Sequence, residues 1–363
     1  MEHKNTLIHI LSANRWGGIE RYALDICKHF LKEGWNVLAL TRDAKAVDSI
    51  FEKAGIPLFH APLQGFYDYI SIRLLAKKFK ETEGRIIVHA HGFRAVFTAL
   101  MARKLSGKKN VKIIMTRHKI RRAVDTWILR LIYRNIDALI FVSRAARDRF
   151  VATWHNRLMP INPERMWVIH NSLNIPKPVY TPPVEGRPLT AMFHGPIKPG
   201  KGVDVLIDAM ALLKGKRIRL RIVGSGSPDY LDKMRRRALT RGVMEMIDWH
   251  KHTDDPQQLI EECDFGVLPS VQEEAFGLAN IEYMAASRPQ ICTSNGAQPE
   301  YITDGWEGIL IPPANPSFIA ENISKLALDP ELRLKMGRNA YESFIHRLSW
   351  PHFIKPLTSI YLQ

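Results

Sequence analysis

Cysteine is scarce in this sequence: Cys27, Cys263 and Cys292 are the only three, far apart, with no CxxC among them. That excludes a disulfide framework and a cysteine-based zinc site, and it fits a reducing compartment. Long apolar runs are missing too. The opening stretch 7–11 is soon interrupted by Asn14 and Arg15, which makes it a first strand and not a signal peptide. Nothing approaches the roughly 18–20 apolar residues that a membrane span needs, so the expected location is cytoplasmic. There is no low-complexity tract, no repeat with a 20–50-residue period and no GxxxxGK[ST] phosphate loop. A Walker-type NTPase is therefore disfavoured.

What is present falls into two halves. A length of 363 residues exceeds what one hydrophobic core usually serves, and 46% apolar residues is ordinary for a globular chain. The net charge of +16 is unevenly placed. Residues 1–180 hold 31 Lys and Arg against 14 Asp and Glu, which is +17. The rest holds 52 − 31 = 21 against 36 − 14 = 22, which is −1. The basic half should face something anionic: nucleic acid, anionic lipid or a phosphate-bearing substrate.

Short Val/Ile/Leu runs at 6–11, 36–40, 86–89, 112–116, 138–142 and 166–169 predict strands. Between the first two, Ile19, Tyr22, Ala23, Ile26 and Phe30 recur at helical spacing, which predicts a helix over 19–31. Continuous apolar strands alternating with helices indicate a parallel sheet covered on both faces. Five prolines between 176 and 188 read as a stiff linker. The pattern then restarts, with strands at 189–194, 217–223, 244–249, 264–268, 289–293 and 308–311 and a helix at 203–213. The expected fold class is α/β, with two doubly wound Rossmann-like domains facing a central cleft. Ligands bind such sheets beyond the carboxyl ends of their strands.

The candidate residues cluster at those ends. Glu274 lies in the loop after the strand closed by Pro269-Ser270, and Glu282 lies inside the following helix, whose start carries the amides of Phe276, Gly277 and Leu278. Unsatisfied N–H groups and two carboxylates there can bind pairs of sugar hydroxyls. The plainer reading is an acidic helix start and a solvated helix face. The segment His194-Gly-Pro-Ile-Lys198-Pro-Gly-Lys201-Gly202 offers glycines and two cations to a phosphate, or is a surface turn. Gly17-Gly18 opens the first long helix, and Gly224-Ser-Gly226 follows a strand; each is weak alone. His89, His91 and His118 stand at or just past strand ends, where a histidine can polarise a hydroxyl or bind phosphate. For His89, a buried structural role is the simpler reading. His250 and His252 flank a lysine with no matching carboxylate or cysteine, so no metal site is expected.

Read together, these segments resemble the retaining GT-B glycosyltransferases of family 4 over nearly the whole chain. Glu274-x7-Glu282 is similar to the family's paired-glutamate motif, and Lys201-Gly-Val-Asp-Val-Leu to its lysine-bearing phosphate loop. Gly17-Gly-Ile-Glu20 resembles the N-terminal diphosphate loop and Val223-Gly-Ser-Gly226 the nucleotide-side turn. Val142-Ser143, Val168-Ile-His-Asn171 and Leu348-Ser-Trp350 also fall where the family has matching segments.

The resemblance implies an acceptor-binding domain over 1–180, to which 346–363 crosses back, and a nucleotide-sugar domain over 181–345. It implies that Glu282 holds the ribose, that Glu274 and the 276–278 amides hold the donor sugar, and that Lys201 holds the diphosphate. Gly17, Gly18, Lys198 and Gly224 complete the donor side. His118 would lie near the anomeric carbon, which puts His118, Lys201 and Glu274 in catalytic roles. His91, Arg94 and Arg117 are the acceptor-side candidates. No carboxylate nucleophile is obligatory, and neither metal nor cofactor is expected.

Three departures stand out: Gly195-Pro196 where relatives have Gly-Arg, Ala275 where they have Gly, and Asn171-Ser172 where they have Asn-Gly. The first removes a phosphate-binding cation, for which Lys198 is the available substitute. The expected partners are a UDP or GDP sugar and a glycan or lipid-linked acceptor, with peripheral contact to an anionic membrane and no nucleic acid. The rival enzyme is a GT-B sugar-nucleotide epimerase. The rival from another class is a non-catalytic basic protein that binds nucleic acid or membrane, and a catalytically dead assembly scaffold is a third option.

Overall fold

The computed structural model describes residues 4–154, 158–175, 188–253 and 255–363. The first sheet has seven strands: β1 (Thr6–Ile10), β2 (Asn36–Thr41), β3 (Leu58–His60), β4 (Ile86–Ala90), β5 (Val111–Arg117), β6 (Ala138–Phe141) and β7 (Met166–Val168). Their order is β3-β2-β1-β4-β5-β6-β7, every pair parallel. The second sheet has six: β8 (Leu189–His194), β9 (Ile218–Val223), β10 (Ile247–His250), β11 (Phe265–Leu268), β12 (Gln290–Thr293) and β13 (Gly308–Ile311). Their order is β10-β9-β8-β11-β12-β13, again all parallel. Both sheets are doubly wound, and each reverses its direction of growth once, between β1 and β4 and between β8 and β11.

The apolar runs behave as parallel strands should, with every position of β1 and β4 buried. The helix Gly18–Lys32 turns Tyr22, Ala23, Ile26, Cys27 and Phe30 inward. Each sheet has its own apolar core.

Two elements differ from the sequence expectation. The edge strand β3 is only three residues long and at most half-buried, too short to leave a periodic signal. The stretch expected to be a strand from 244 begins as a tight turn, Met244–Met246, in which the Met246 N–H donates to Val243 O at 3.0 Å, and β10 starts only at Ile247.

The chain divides into two compact units, residues 1–170 with 353–363 and residues 171–352. The return to the first unit thus begins at Phe353. The segment before it is tied to the second: Ser343 Oγ donates to Glu307 at 2.7 Å, and Ser172 Oγ donates to Leu348 O at 2.6 Å. Of the proline-rich linker, residues 176–187 lie outside the described residues. The last helix, Trp350–Leu362, buries Phe353, Leu357, Ile360 and Tyr361. Its final carbonyls, at Ile360 and Leu362, accept from the side chains of Lys112 and Arg85, cations placed where a helix C-terminus favours them.

Candidate active site

In the second unit the polar groups gather where the strand order reverses, the point at which doubly wound sheets bind ligands. The loop after β8 and the loop after β11 are joined backbone to backbone. The N–H groups of Val271 and Gln272 donate to Gly200 O at 2.9 and 3.0 Å. Gly202 has φ +74° and sits so close to Pro269 O that a Cβ would lie 1.9 Å from it. On the other side the Ala297 N–H donates to Glu274 O at 2.9 Å, and Gly296 leans on the Glu274 backbone. This framing brings two candidates together: Lys201 Nζ donates to Glu274 Oε2, which also accepts from Ser270 Oγ at 3.3 Å. Both side chains keep an opening to solvent, 24% for Lys201 and 17% for Glu274.

Glu282 is no solvated helix face. Its side chain is 7% exposed on the helix Leu278–Ala285, with Oε2 at 2.5 Å from His194 Nε2. The other His194 nitrogen lies 2.9 Å from the Tyr283 hydroxyl, which donates to Met192 O at 2.8 Å. A carboxylate is thus held at the mouth of β8 by a histidine that the hydroxyl orients. Gly277, φ +85°, introduces that helix, and Tyr301 OH donates to Phe276 O, which fixes the turn. Phe276 is buried, while Gly277 and Leu278 are partly exposed.

Gly224 and Gly226 have an internal reason to be glycine, because a Cβ would meet Gly195 O at 2.0 Å and Ile197 O at 2.1 Å. Lys198 is exposed, on the turn closed by the Lys201 N–H donating to its carbonyl at 3.2 Å.

In the first unit Gly17 is extended, Gly18 opens its helix, and Glu20 is buried in the first turn, where burial raises its carboxyl above the ordinary range. At the β1/β4 reversal four histidines meet. His9 Nδ1 lies 3.2 Å from His91 Nε2, and His91 Nδ1 lies 3.0 Å from His118 Nε2. His89 is fully buried and bonded at both nitrogens, to Tyr361 OH at 2.6 Å and Thr116 Oγ1 at 2.7 Å. Tyr22 sets its ring edge-on to His89, His91 and His118. Burial depresses all four imidazoles, His9 and His118 to about 3; Lys119 adds to the effect at His118, and the mutual opposition of neighbouring histidines to a second proton adds to it at His89 and His91.

Arg94 is exposed at the start of the helix Phe93–Ser106. Arg117 is different. It is 8% exposed, lies against the Phe93 and Phe150 rings at 5.5 and 5.1 Å, and donates to Tyr133 OH and Arg121 O, each at 3.1 Å. Its guanidinium is sandwiched in the core, which takes it out of reach of an acceptor and corrects the sequence expectation.

Sequence reasoning did not single out His9, nor the pairing of His194 and Tyr283 with Glu282. A histidine inside an otherwise apolar strand was the available signal for His9. For His194 it was the position at the strand end facing the glutamate motif. Among the described residues, three metal-type ligand atoms also converge at Asp43, Asp48 and His60, within 4.8 Å of one another. None of these belongs to the sites above.

Two doubly wound sheets with a paired-glutamate loop define the class, a GT-B glycosyltransferase. Residues 16–175 match Glycosyltransferase Family 4, and residues 182–343 match glycosyl transferases group 1. The chain belongs to the family 4 glycosyltransferases. It is 27% identical over 306 residues to an uncharacterised glycosyltransferase of Methanocaldococcus jannaschii, covering 82% of this chain and 81% of that one. A glycosyltransferase from Rickettsia africae has the same fold, with TM-score 0.86 at 20% identity, covering 99% of this chain and 98% of that one. So has Anabaena HepE in complex with UDP and glucose, with TM-score 0.82 at 19% identity, covering 97% and 98%.

Proposed function

We propose that the enzyme transfers a hexosyl group from a UDP or GDP sugar to a glycan or lipid-linked acceptor, with retention of anomeric configuration, in cell-envelope polysaccharide or lipopolysaccharide synthesis. The observation that carries this reading is the Lys201–Glu274 pair together with buried Glu282 held by His194, on the elements that follow β8 and β11 where the second sheet reverses. In this reading Glu282 receives the ribose hydroxyls. Glu274 and the amides of Phe276, Gly277 and Leu278 receive the donor sugar. Lys201 neutralises the departing diphosphate, where charge stabilisation lowers the barrier most. Lys198, Gly224, Gly17 and Gly18 line the donor side, His118 stands near the anomeric carbon, and His91 and Arg94 serve the acceptor. The charge of Lys201 meets the leaving group without a metal ion.

The test is mass spectrometry of the enzyme with a panel of UDP and GDP sugars and lipid-linked acceptors. A glycosylated acceptor formed only when both substrates are present is expected. Conversion of the nucleotide sugar alone would replace transfer with epimerisation.

A second observation favours a place for this reaction at the inner face of an anionic membrane. The helix Trp127–Asn135 buries Leu129, Ile132 and Tyr133, yet Val124, Trp127 and Leu131 stay 61%, 69% and 37% exposed beside exposed Arg121, Arg122 and Arg134. Apolar side chains ringed by arginine suit a bilayer interface. Arg130 takes no part: it holds Asp125 with two hydrogen bonds, at 2.6 and 2.9 Å, and lies over Trp154. Among the described residues no helix is long and apolar enough to cross a membrane. Co-sedimentation with phosphatidylglycerol vesicles should weaken with salt and with Arg121/Arg122/Arg134→Glu. Equal recovery on neutral vesicles would count against it.

A further inference from the structure

We propose that His9 and His91 are positioning residues, which hold His118 as the tautomer with its proton on Nδ1 and so make it a hydrogen-bond donor to a substrate oxygen. This rests on the reading that His118 faces the reacting sugar. His9, His91 and His118 form a relay in which the protons can be counted. The contacts run Nδ1 to Nε2 and again Nδ1 to Nε2, at 3.2 and 3.0 Å. A neutral imidazole has one donor nitrogen and one acceptor nitrogen. Three of them linked this way have only two arrangements, all protonated on Nδ1 or all on Nε2.

The closed end of the chain chooses between them. His9 Nε2 is buried and has no hydrogen-bond partner. With every proton on Nε2, an N–H would be stranded there; with every proton on Nδ1, only a lone pair is. Among buried backbone groups an orphaned N–H is rarer than an under-satisfied carbonyl, and the same asymmetry applied to the ring nitrogens selects the second arrangement. His9 Nδ1–H then donates to His91 Nε2, and His91 Nδ1–H donates to His118 Nε2. The proton of His118 is left on Nδ1.

The surroundings support neutrality. No carboxylate is among the causes of the shifts at His9, His91 or His118, and burial leads in each. Tyr22 walls the chain on one side, and the nearby charge is Lys119, which disfavours an imidazolium further. Tyr22 in turn packs on Phe353 of the returning C-terminal helix, with ring centroids 5.3 Å apart. A segment more than 200 residues away in sequence thus braces the ring that walls the relay.

The experiment is long-range proton–nitrogen correlation NMR of the full chain labelled with 15N-histidine, in which the two tautomers have distinct nitrogen shifts. All three histidines should read as Nδ1–H in the wild type; an Nε2–H pattern at His118 overturns the proposal without any variant. His9→Leu should release the relay, leave His118 as a mixture of tautomers and lower kcat on the order of 10-fold, with the donor KM unchanged. His9→Asn places an amide N–H near the lost Nδ1–H and should restore both the Nδ1–H signal and most of kcat. A His118 signal that stays Nδ1–H in His9→Leu would also overturn it. Should His118→Ala transfer sugar at the wild-type rate, the role given to His118 fails, whereas the tautomer measured by NMR stands or falls separately.

Discussion

The two units use the same sheet plan and collect their polar groups at the same topological point, but they load it with opposite chemistry. The second unit puts formal charges there, Lys201 against Glu274 and the carboxylate of Glu282 held by His194, on loops locked by glycines that nothing bulkier can replace. The first unit puts neutral imidazoles there, in a region whose overall charge is +17 on 31 basic and 14 acidic residues. Its positive side chains stay at the surface or, as with Arg117, sink among aromatic rings. A site that stabilises a departing diphosphate needs a fixed cation. A site that orients hydroxyls needs donors and acceptors whose protonation does not drift with pH, and burial supplies that.

The largest loss is expected at Lys201. Lys201→Ala should lower kcat about 100-fold or more, a loss of roughly 3 kcal/mol or above, typical when a fixed group that meets transition-state charge is removed. Donor KM should rise far less, because the leaving-group charge peaks in the transition state. Steady-state kinetics with the identified donor decide it; a raised KM with intact kcat would make Lys201 a ground-state binder.

Glu282 comes next. Glu282→Ala should weaken binding of the free nucleoside diphosphate about 10- to 100-fold, since a hydrogen bond to a charged group is worth roughly 1.5–3 kcal/mol. Calorimetry on the folded variant reads this directly, and unchanged affinity would remove Glu282 from the nucleotide site.

Legibility differed between the units for a physical reason. The second site lies on short local segments, Lys201 with its glycines and then Glu274 and Glu282 eight residues apart, so although neither segment was decisive alone, both could be matched in order to the family's motifs. The first is assembled from β1, β4 and β5, at positions 9, 91 and 118, and becomes a site only when sheet order sets those strands side by side. Parallel strands were readable from their apolar runs. Their lateral order was not, nor was three-residue β3. Arg117 shows the same limit from the other side: a cation at a strand end looks like a ligand contact until the rings around it are seen.

The neutral site should also reveal itself through pH. His9 and His118 titrate near 3 in the fold and near 6.5 in the unfolded chain. Between those values the unfolded chain takes up protons that the folded chain refuses. Stability is therefore complete above about pH 6.5 and is lost as pH falls toward 3, by up to about 1.4 kcal/mol per pH unit for each group. Denaturant unfolding at a series of pH values from 7.5 down to 5 should show that slope, and His9→Leu should make it shallower. Equal slopes would mean that the imidazoles are solvated after all.

The smallest effect is expected at Lys198, and it tests whether the charged site reaches beyond its locked core. Pro196 stands where the resemblance to the family leads one to expect an arginine, and Lys198 is the next cation on the same turn. Lys198 is exposed, unlike Lys201, and only its backbone carbonyl is tied down, by the Lys201 N–H at 3.2 Å. A lysine free in solvent meets a phosphate through a screened field, so its contribution should not exceed about 1 kcal/mol and should shrink as salt rises. Lys198→Ala should therefore reduce kcat/KM by a few-fold at low ionic strength and by almost nothing at high, whereas the Lys201→Ala loss should persist at both. A Lys198 variant as impaired as Lys201→Ala, and equally indifferent to salt, would show that the turn rearranges to bring a second fixed cation onto the diphosphate. A fully active one would leave Lys201 as the only fixed positive charge the donor phosphates meet on this loop.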